Sequence, residues 1–585
     1  MVERQLPKHN WREFIMKKNY RLIGTLTMAA LLAGNLSGCG SARNYQTETA
    51  AEYPVQDNGY YSTATSESYG DYSAEVCEEP VMAAPSSPAS SLFDSLGASK
   101  AAETEGCYVY EDSDYCVVVP EYNTESYDKP DENGFFLSQG QPLSTFAADV
   151  DTASYANVRR MIEDGYGKRN IPSDAVRPEE FLNYFSYDLK SPKKGEKFAV
   201  TTEVSRCPWN EDHELMFVGV KAEDKLDGQL PKSNLVFLID VSGSMDDEDK
   251  LGLLKKGFNE LVDNLPGEGT VSIVTYASKE KVVLDGADMS EKRKIKEAIR
   301  SLEANGSTAG ERGMEMAYEI AKENFIDGGN NRIIMATDGD LNVGISDPDE
   351  LEDFISKKKD QGIYLSVLGF GEGNYKDDKM ERLADCGNGN YSYIDSLIEA
   401  RKVLVEEMTS TLVTVAKDVK FQVEFNPATV NSYRLIGYEN REMDAVDFNN
   451  DKKDGGELGS GHSVVALYEI VPAGSESAID LKYQPAGNSD ESDDYATIKI
   501  RYKEPEKDKS ELLSYVVGAN AYRENVSENF KFASLVSEFA MILGDSDYAG
   551  TMTYRDIING YKELDNTDDY KDEFISLVRM VEKRS

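Results

Sequence analysis

Asp240, Ser242 and Ser244 alternate with Val241 and Gly243 directly after five apolar residues in LVFLIDVSGSM (235–245). One carboxylate and two hydroxyls at alternate positions can converge on one point, or they can cap the helix that follows. Two further oxygen-bearing residues come much later in the chain. Thr308 lies in ANGSTAGER (304–312), a glycine-punctuated loop before a helical pattern, and Asp338 ends the apolar run in IIMATDGDLNVG (333–344). Ligands of open α/β sheets bind beyond the carboxyl ends of strands, so adjacent strand ends would gather two carboxylates and three hydroxyls at one rim. Such an oxygen-only set suits a hard divalent cation, Mg²⁺ first, with Mn²⁺ and Ca²⁺ as alternatives. These residues alone do not fill an octahedron, so waters or an acidic group from a partner must complete it. The acids of MDDED (245–249) stand at the expected helix start, where they favour its dipole and gather cations.

Other chemistries find little support. Three histidines (His9, His213, His462) and no C-x-x-C spacing argue against a zinc site. DGDLNVGISDPD (338–349) alternates like an EF-hand loop, but Val343 stands where the sharp turn needs glycine and Asp349 where a bidentate Glu belongs. GFGEG (369–373) lacks dinucleotide-loop spacing and reads as a strand-end turn. DKKDGG (451–456) reads as a solvated acidic turn, and His462 between Gly461 and Ser463 lacks a nucleophile-elbow context. Cys207 and Cys386 read as buried small residues rather than nucleophiles. The chain therefore reads as a non-enzyme. A hydrolase using the same metal as Lewis acid is the weaker alternative, because no histidine base lies near the five residues in sequence.

The elements that must hold these residues alternate in type. LVFLI (235–239), VSIVTYA (271–277), RIIMAT (332–337) and IYLSVLGF (363–370) are continuous apolar strands, with helical patterns between them. Leu251, Leu254, Phe258, Leu261, Val262 and Leu265 share one helix face, and Ile295, Ala298, Ile299 and Leu302 share another. This predicts an α/β fold with a doubly wound, mostly parallel sheet over 230–416. KVVLDG (281–286) follows its predecessor too closely for a helical crossover and reads as an antiparallel edge strand.

The flanks differ. Helical spacing in DTASYANVRRMIEDGY (151–166) and RPEEFLNYFSYDL (177–189) precedes strands at 198–209 and 214–222, giving an N-terminal region over 136–229. A β-rich region over 417–509 contains strands at 420–426, 463–471, 478–484 and 495–503, interrupted by the loop 447–461. Helices at 510–524, 530–543 and 572–583 form a helical region over 510–585. The strands at 198–222 and 417–503 are expected to join in one β-sandwich carrying the α/β domain at its end.

The 585-residue chain carries a net charge of −43, which argues against nucleic acid as a partner. Six Lys and Arg residues between Arg4 and Arg21 precede the apolar run LIGTLTMAALLAGNL (22–36), too short for a comfortable membrane span and better read as an export signal. It ends in LSGC (36–39), which resembles the bacterial lipoprotein lipobox with cleavage before Cys39 and removal of 1–38. The resemblance implies a diacylglyceryl anchor on Cys39 and an extracytoplasmic protein held at the membrane or envelope. Residues 39–135, rich in Ser, Tyr and acids without apolar periodicity, read as a disordered tether of about 55 Å root-mean-square span. Outside the cytoplasm a Cys107–Cys116 disulfide is permitted.

D-V-S-G-S-M after an apolar strand, a Gly-Ser-Thr loop downstream and T-D-G-D at a later strand end resemble a von Willebrand factor type A domain. The resemblance implies a metal-ion-dependent adhesion site formed by Asp240, Ser242, Ser244, Thr308 and Asp338, with a partner carboxylate on the cation. STFAADVDTASYANVRR (144–160), CPWN (207–210), ATDGDLNVG (336–344) and ELLSYVVGANAYRE (511–524) further resemble a family of exported bacterial proteins with an A domain between family-specific flanks. Some of its members are labelled calcium-activated chloride channel homologues. The functions implied are adhesion or scaffolding at a cell surface, or an accessory role in an envelope or transport complex.

Overall fold

Leu235–Ile239 is apolar at every position because both faces of its strand are covered. Leu235, Phe237 and Ile239 enter one hydrophobic cluster, and Val236 and Leu238 enter another on the opposite face. This strand lies at the centre of a computed structural model that describes residues 125–585, apart from 129–130, 226–230, 266–267, 307–310, 340–347, 374, 454, 476–491, 506 and 508. Cys39, Cys77, Cys107, Cys116, the expected tether up to 124, the expected strand 478–484 and Thr308 lie outside the described residues.

The N-terminal part supplies β1 (Phe136–Leu137), β2 (Leu143–Ala147), the helices Ala153–Glu163 and Pro178–Asn183, β3 (Phe198–Cys207) and β4 (Asn210–Ala222). The next segment supplies β5 (Ser233–Asp240), β6 (Gly269–Tyr276), β7 (Lys281–Asp288), β8 (Asn330–Thr337), β9 (Ile363–Phe370) and β10 (Tyr391–Ile394). These six strands form one sheet in the order β10-β9-β8-β5-β6-β7. All pairs are parallel except β6–β7, the antiparallel edge that the short connection requires. The helix Leu251–Asn264 covers one face through Leu254, Phe258 and Leu261, and the helix Glu311–Glu323 covers the other through Met314, Tyr318 and Ala321.

The remaining strands are β11 (Thr414–Phe425), β12 (Val430–Ile436), β13 (Gly456–Gly459), β14 (Ser463–Pro472), β15 (Ala496–Lys503) and β16 (Glu511–Val517). They build two sheets together with the N-terminal strands: β1-β12-β14-β4-β3, and β13-β11-β15-β16 with β2 also on β11. The chain on either side of the α/β segment therefore closes one sandwich, with Val220 of β4 opposite Val464 of β14. Val204, Val218, Val220 and Tyr468 of one sheet meet Phe421, Val423, Ile498 and Ile500 of the other in its core. β15 alternates buried and half-buried residues, as a strand with one wet face must.

The outer face of the first sheet is not wet. Leu215, Phe217, Val465 and Leu467 pack against Phe181, Phe185, Phe532, Phe539 and Phe574, which come from helices near both ends of the described chain. The helix Ala153–Glu163 joins this layer to the α/β part: Ala153 and Ala156 contact the latter, while Tyr155, Val158 and Ile162 pack in the former. One expected element differs. Residues 511–517 are the edge strand β16, not part of a helix over 510–524, because pairing with β15 buries Val517 and leaves Leu512 and Val516 exposed. The helical region begins at Glu528–Leu543 and continues with Tyr554–Tyr561 and Asp569–Arg584.

Candidate metal centre

The strand order of the α/β sheet reverses around β5, with β6 on one side and β8 on the other. Asp240 is the last residue of β5, and Asp338 directly follows β8. The two strands pair in parallel, Ile239 opposite Ala336, so both carboxylates leave adjacent strand ends at the reversal where open sheets bind ligands. Both are buried, Asp240 fully.

The backbone N–H of Ser242 donates to Asp240 Oδ1 at 2.8 Å, and the Thr337 hydroxyl reaches Oδ2 at 3.5 Å. Thr337 Oγ1 also accepts from the Gly339 N–H at 3.2 Å, which ties the carboxyl end of β8 to the Asp240 side chain. Ser242 Oγ and Ser244 Oγ stand 2.9 Å apart. These residues are not helix caps. Ser242 precedes only a single turn, Gly243–Met245, and the helix Leu251–Asn264 starts after Lys250 with no side-chain cap. The acids at 246–249 accordingly lie ahead of the helix and not in its first turn. The loop before Thr308 is tied to the same rim, as Asn305 N–H donates to the Val241 carbonyl at 2.7 Å and Gly243 N–H to the Gly306 carbonyl at 2.8 Å. Gly306 has φ +90°, and a Cβ there would stand 2.3 Å from Ser278 Oγ. Glycine is therefore required for this approach.

Burial pushes the Asp240 acid up to about 6; the Ser242 donors oppose the shift and the Asp338 charge adds to it. A cation between the two carboxylates relieves both burial and repulsion. The hydroxyl pair fits as well, since neighbouring ligands around an ion with ~2.1 Å metal–oxygen bonds lie about 3 Å apart. Among the described residues no cluster of three or more His, Cys, Asp or Glu is placed to hold a metal.

Lys250 was not singled out by sequence. Its Nζ lies 3.2 Å from Asp338 Oδ2, with both side chains largely buried. Its stem crosses Gly371, where φ is +72° and a Cβ would sit 2.2 Å from Lys250 Cε. The expected turn at 369–373 thus makes room for this lysine. Burial pushes the Cys386 thiol up to about 11 and the Cys207 thiol further, away from the thiolate a nucleophile uses. Asp451 accepts from Arg501 and Ser510 at the surface, as a solvated turn does.

The von Willebrand factor type A domain family matches residues 234–407, a family described as von Willebrand factor matches 121–217, and one described as "Uncharacterized protein YfbK, C-terminal" matches 410–583. The Uncharacterized protein YfbK of Escherichia coli (strain K12) is 42% identical over 472 residues, covering 78% of this chain and 81% of that protein. The human Voltage-dependent calcium channel subunit alpha-2/delta-2 is 24% identical over 303 residues, covering 47% of this chain and 25% of the subunit. Among solved structures, von Willebrand factor type A from Catenulispora acidiphila aligns with 68% of this chain and 91% of its own at 18% identity and a TM-score of 0.38. The chain belongs to the family of the Uncharacterized protein YfbK and carries a von Willebrand factor type A domain, a module typical of protein–protein interaction and adhesion.

Proposed function

We propose that this protein binds partner proteins through a divalent cation held by Asp240, Ser242, Ser244, Thr308 and Asp338, Mg²⁺ being the first candidate. The observation that carries the reading is the meeting of Asp240, Asp338 and the Ser242–Ser244 hydroxyl pair at the β5–β8 reversal. When bound, the cation supplies a Lewis-acidic point for a partner carboxylate. The chain's own residues bury the Asp240 and Asp338 carboxylates and orient Asp240 through the Ser242 N–H and the Thr337 hydroxyl, while Ser244 stays exposed. No imidazole is hydrogen-bonded to these residues among the described ones, which favours binding over hydrolysis.

The protein acts outside the cytoplasm on a lipid carried by Cys39, with 39–124 as the leash; the described residues of 125–135, expected in the tether, instead dock on the folded part, where Glu125 pairs with Arg160 and Ser126 bridges to Lys376. Among the described residues no helix is long and apolar enough to cross a membrane. Fractionation checks the anchor: Cys39→Ser should move the protein out of the membrane fraction, and a variant that stays there rules the lipid out. Capture from envelope extract checks the binding. The wild-type chain should retain partners in Mg²⁺, lose them in EDTA, and retain none as Asp240→Ala; capture indifferent to both would refute the reading. An accessory role in an envelope or transport complex is the second reading, favoured by the similarity to a protein named as a channel subunit. In that case capture survives EDTA and is lost instead when the sandwich surface is altered.

A further inference from the structure

A cavity of about 260 Å³ lies between the A domain, the sandwich and the helical layer. One wall belongs to the sandwich. Lys221 and Ser463 are direct partners across β4 and β14, and Lys221 points to the helix-covered side, like Phe217 and Leu215 two and three strand periods before it. The opposite wall belongs to the A domain: Ser366 of β9, opposite Ile334 of β8, and Ser392 of β10, opposite Leu368. Thr152, at the head of the helix Ala153–Glu163, completes the lining.

Several polar groups of this lining already serve the protein: Ser366 Oγ accepts from Arg332 and Asn390, and Asn183, Ser410 and Thr411 are hydrogen-bonded. Thr152 and Ser392 are 4% and 7% exposed, and their hydroxyls have no hydrogen-bond partner among the described residues. Among the described residues, the lining atom that is buried with no partner is His462 Nδ1, and a ligand or ordered water normally satisfies such a group. The Lys221 ammonium makes no ion pair among the described residues, although the whole chain has 106 acidic residues against 63 basic ones. Arg332 stands one hydrogen bond behind the wall: its Nη1 donates to Ser366 Oγ at 2.6 Å, its Nε has no partner, and it is 2% exposed. Burial lowers its pKa to about 10, against the opposing Tyr364 and Glu457 charges. The one carboxylate lining the cavity, Glu407, is neutralised by Lys402. Positive charge and free donors thus face a space with room for roughly ten non-hydrogen atoms.

We infer that this cavity is a binding site for a small oxyanion, a carboxylate or phosphate-bearing molecule, held by the Lys221 ammonium and the Thr152, Ser392 and Ser463 hydroxyls. Because its walls come from two parts of the fold, the ligand ties the A domain to the sandwich. The site is independent of the metal reading. Calorimetric titration of the full chain with succinate and with inorganic phosphate, against chloride at equal ionic strength, tests it. Saturable binding of either anion is expected, with a rise in melting temperature; the tighter of the two identifies the class. Lys221→Met should weaken binding at least tenfold, Lys221→Arg by less than threefold, and Ser463→Val at least tenfold by filling the cavity. Melting of each variant without ligand establishes that it is folded. No saturable binding of either anion by the wild type overturns the inference, as does equal affinity in folded Lys221→Met or Ser463→Val.

Discussion

Lys250 is a tethered cation beside the candidate metal centre, 3.2 Å from the same Asp338 that the ion would use. Its ammonium already offsets part of the negative charge of two buried carboxylates, so it competes with a divalent ion. Lys250→Met should raise Mg²⁺ affinity by about tenfold, ~1.4 kcal/mol, read by calorimetric titration; unchanged or weaker affinity would show that the lysine does not compete. The variant also loses a partly buried ion pair, so its metal-free form should unfold at lower denaturant. Asp240 and Asp338 were legible from sequence because each ends a continuous apolar run, and a strand end has a fixed place in such a sheet. Lys250 was not, because the MDDED acids suggested an earlier helix start and hid where the chain turns back toward Asp338.

Helix Glu528–Leu543 shows how an element can carry its own pH dependence. Glu538 is 5% exposed within it, and burial, with the Asp556 charge adding, pushes its carboxyl up to about 8. An unfolded glutamate titrates near ~4.3, so between roughly pH 4.3 and 8 the folded chain binds the extra proton. Stability from this residue is therefore greatest below about pH 4.3 and declines as pH rises toward 8, by about 1.4 kcal/mol per pH unit. Glu538→Gln should flatten that slope in urea unfolding measured across the range, while parallel wild-type and variant curves would contradict it. The helix itself was legible from its apolar spacing, as were the central strands. β16 was not, for a specific reason: Leu512, Leu513, Val516 and Val517 suit one helix face as well as an edge strand. Pairing with β15 decided between them, and that partner lies outside any local window.

On the scale of the whole molecule, the A domain interrupts a sandwich whose halves lie before and after it in sequence, and buried ions fasten the parts. Arg159 meets Asp395 through two 2.6 Å hydrogen bonds, Glu399 at 2.7 Å and Glu573 at 3.0 Å, joining the N-terminal helix to the A domain and to the last helix. The sandwich was legible as strands on both sides of the α/β pattern, but the carboxylates that Arg159 selects were not, since they are more than two hundred residues away. Such a frame holds the β5–β8 rim on a fixed support, and the proposed partner binding requires first of all that the rim hold an ion. Calorimetric titration of Mg²⁺ into the EDTA-treated full chain measures this directly. One saturable site per chain, absent in folded Asp240→Ala, is the predicted result; no saturable binding, or the same binding in Asp240→Ala, would contradict it.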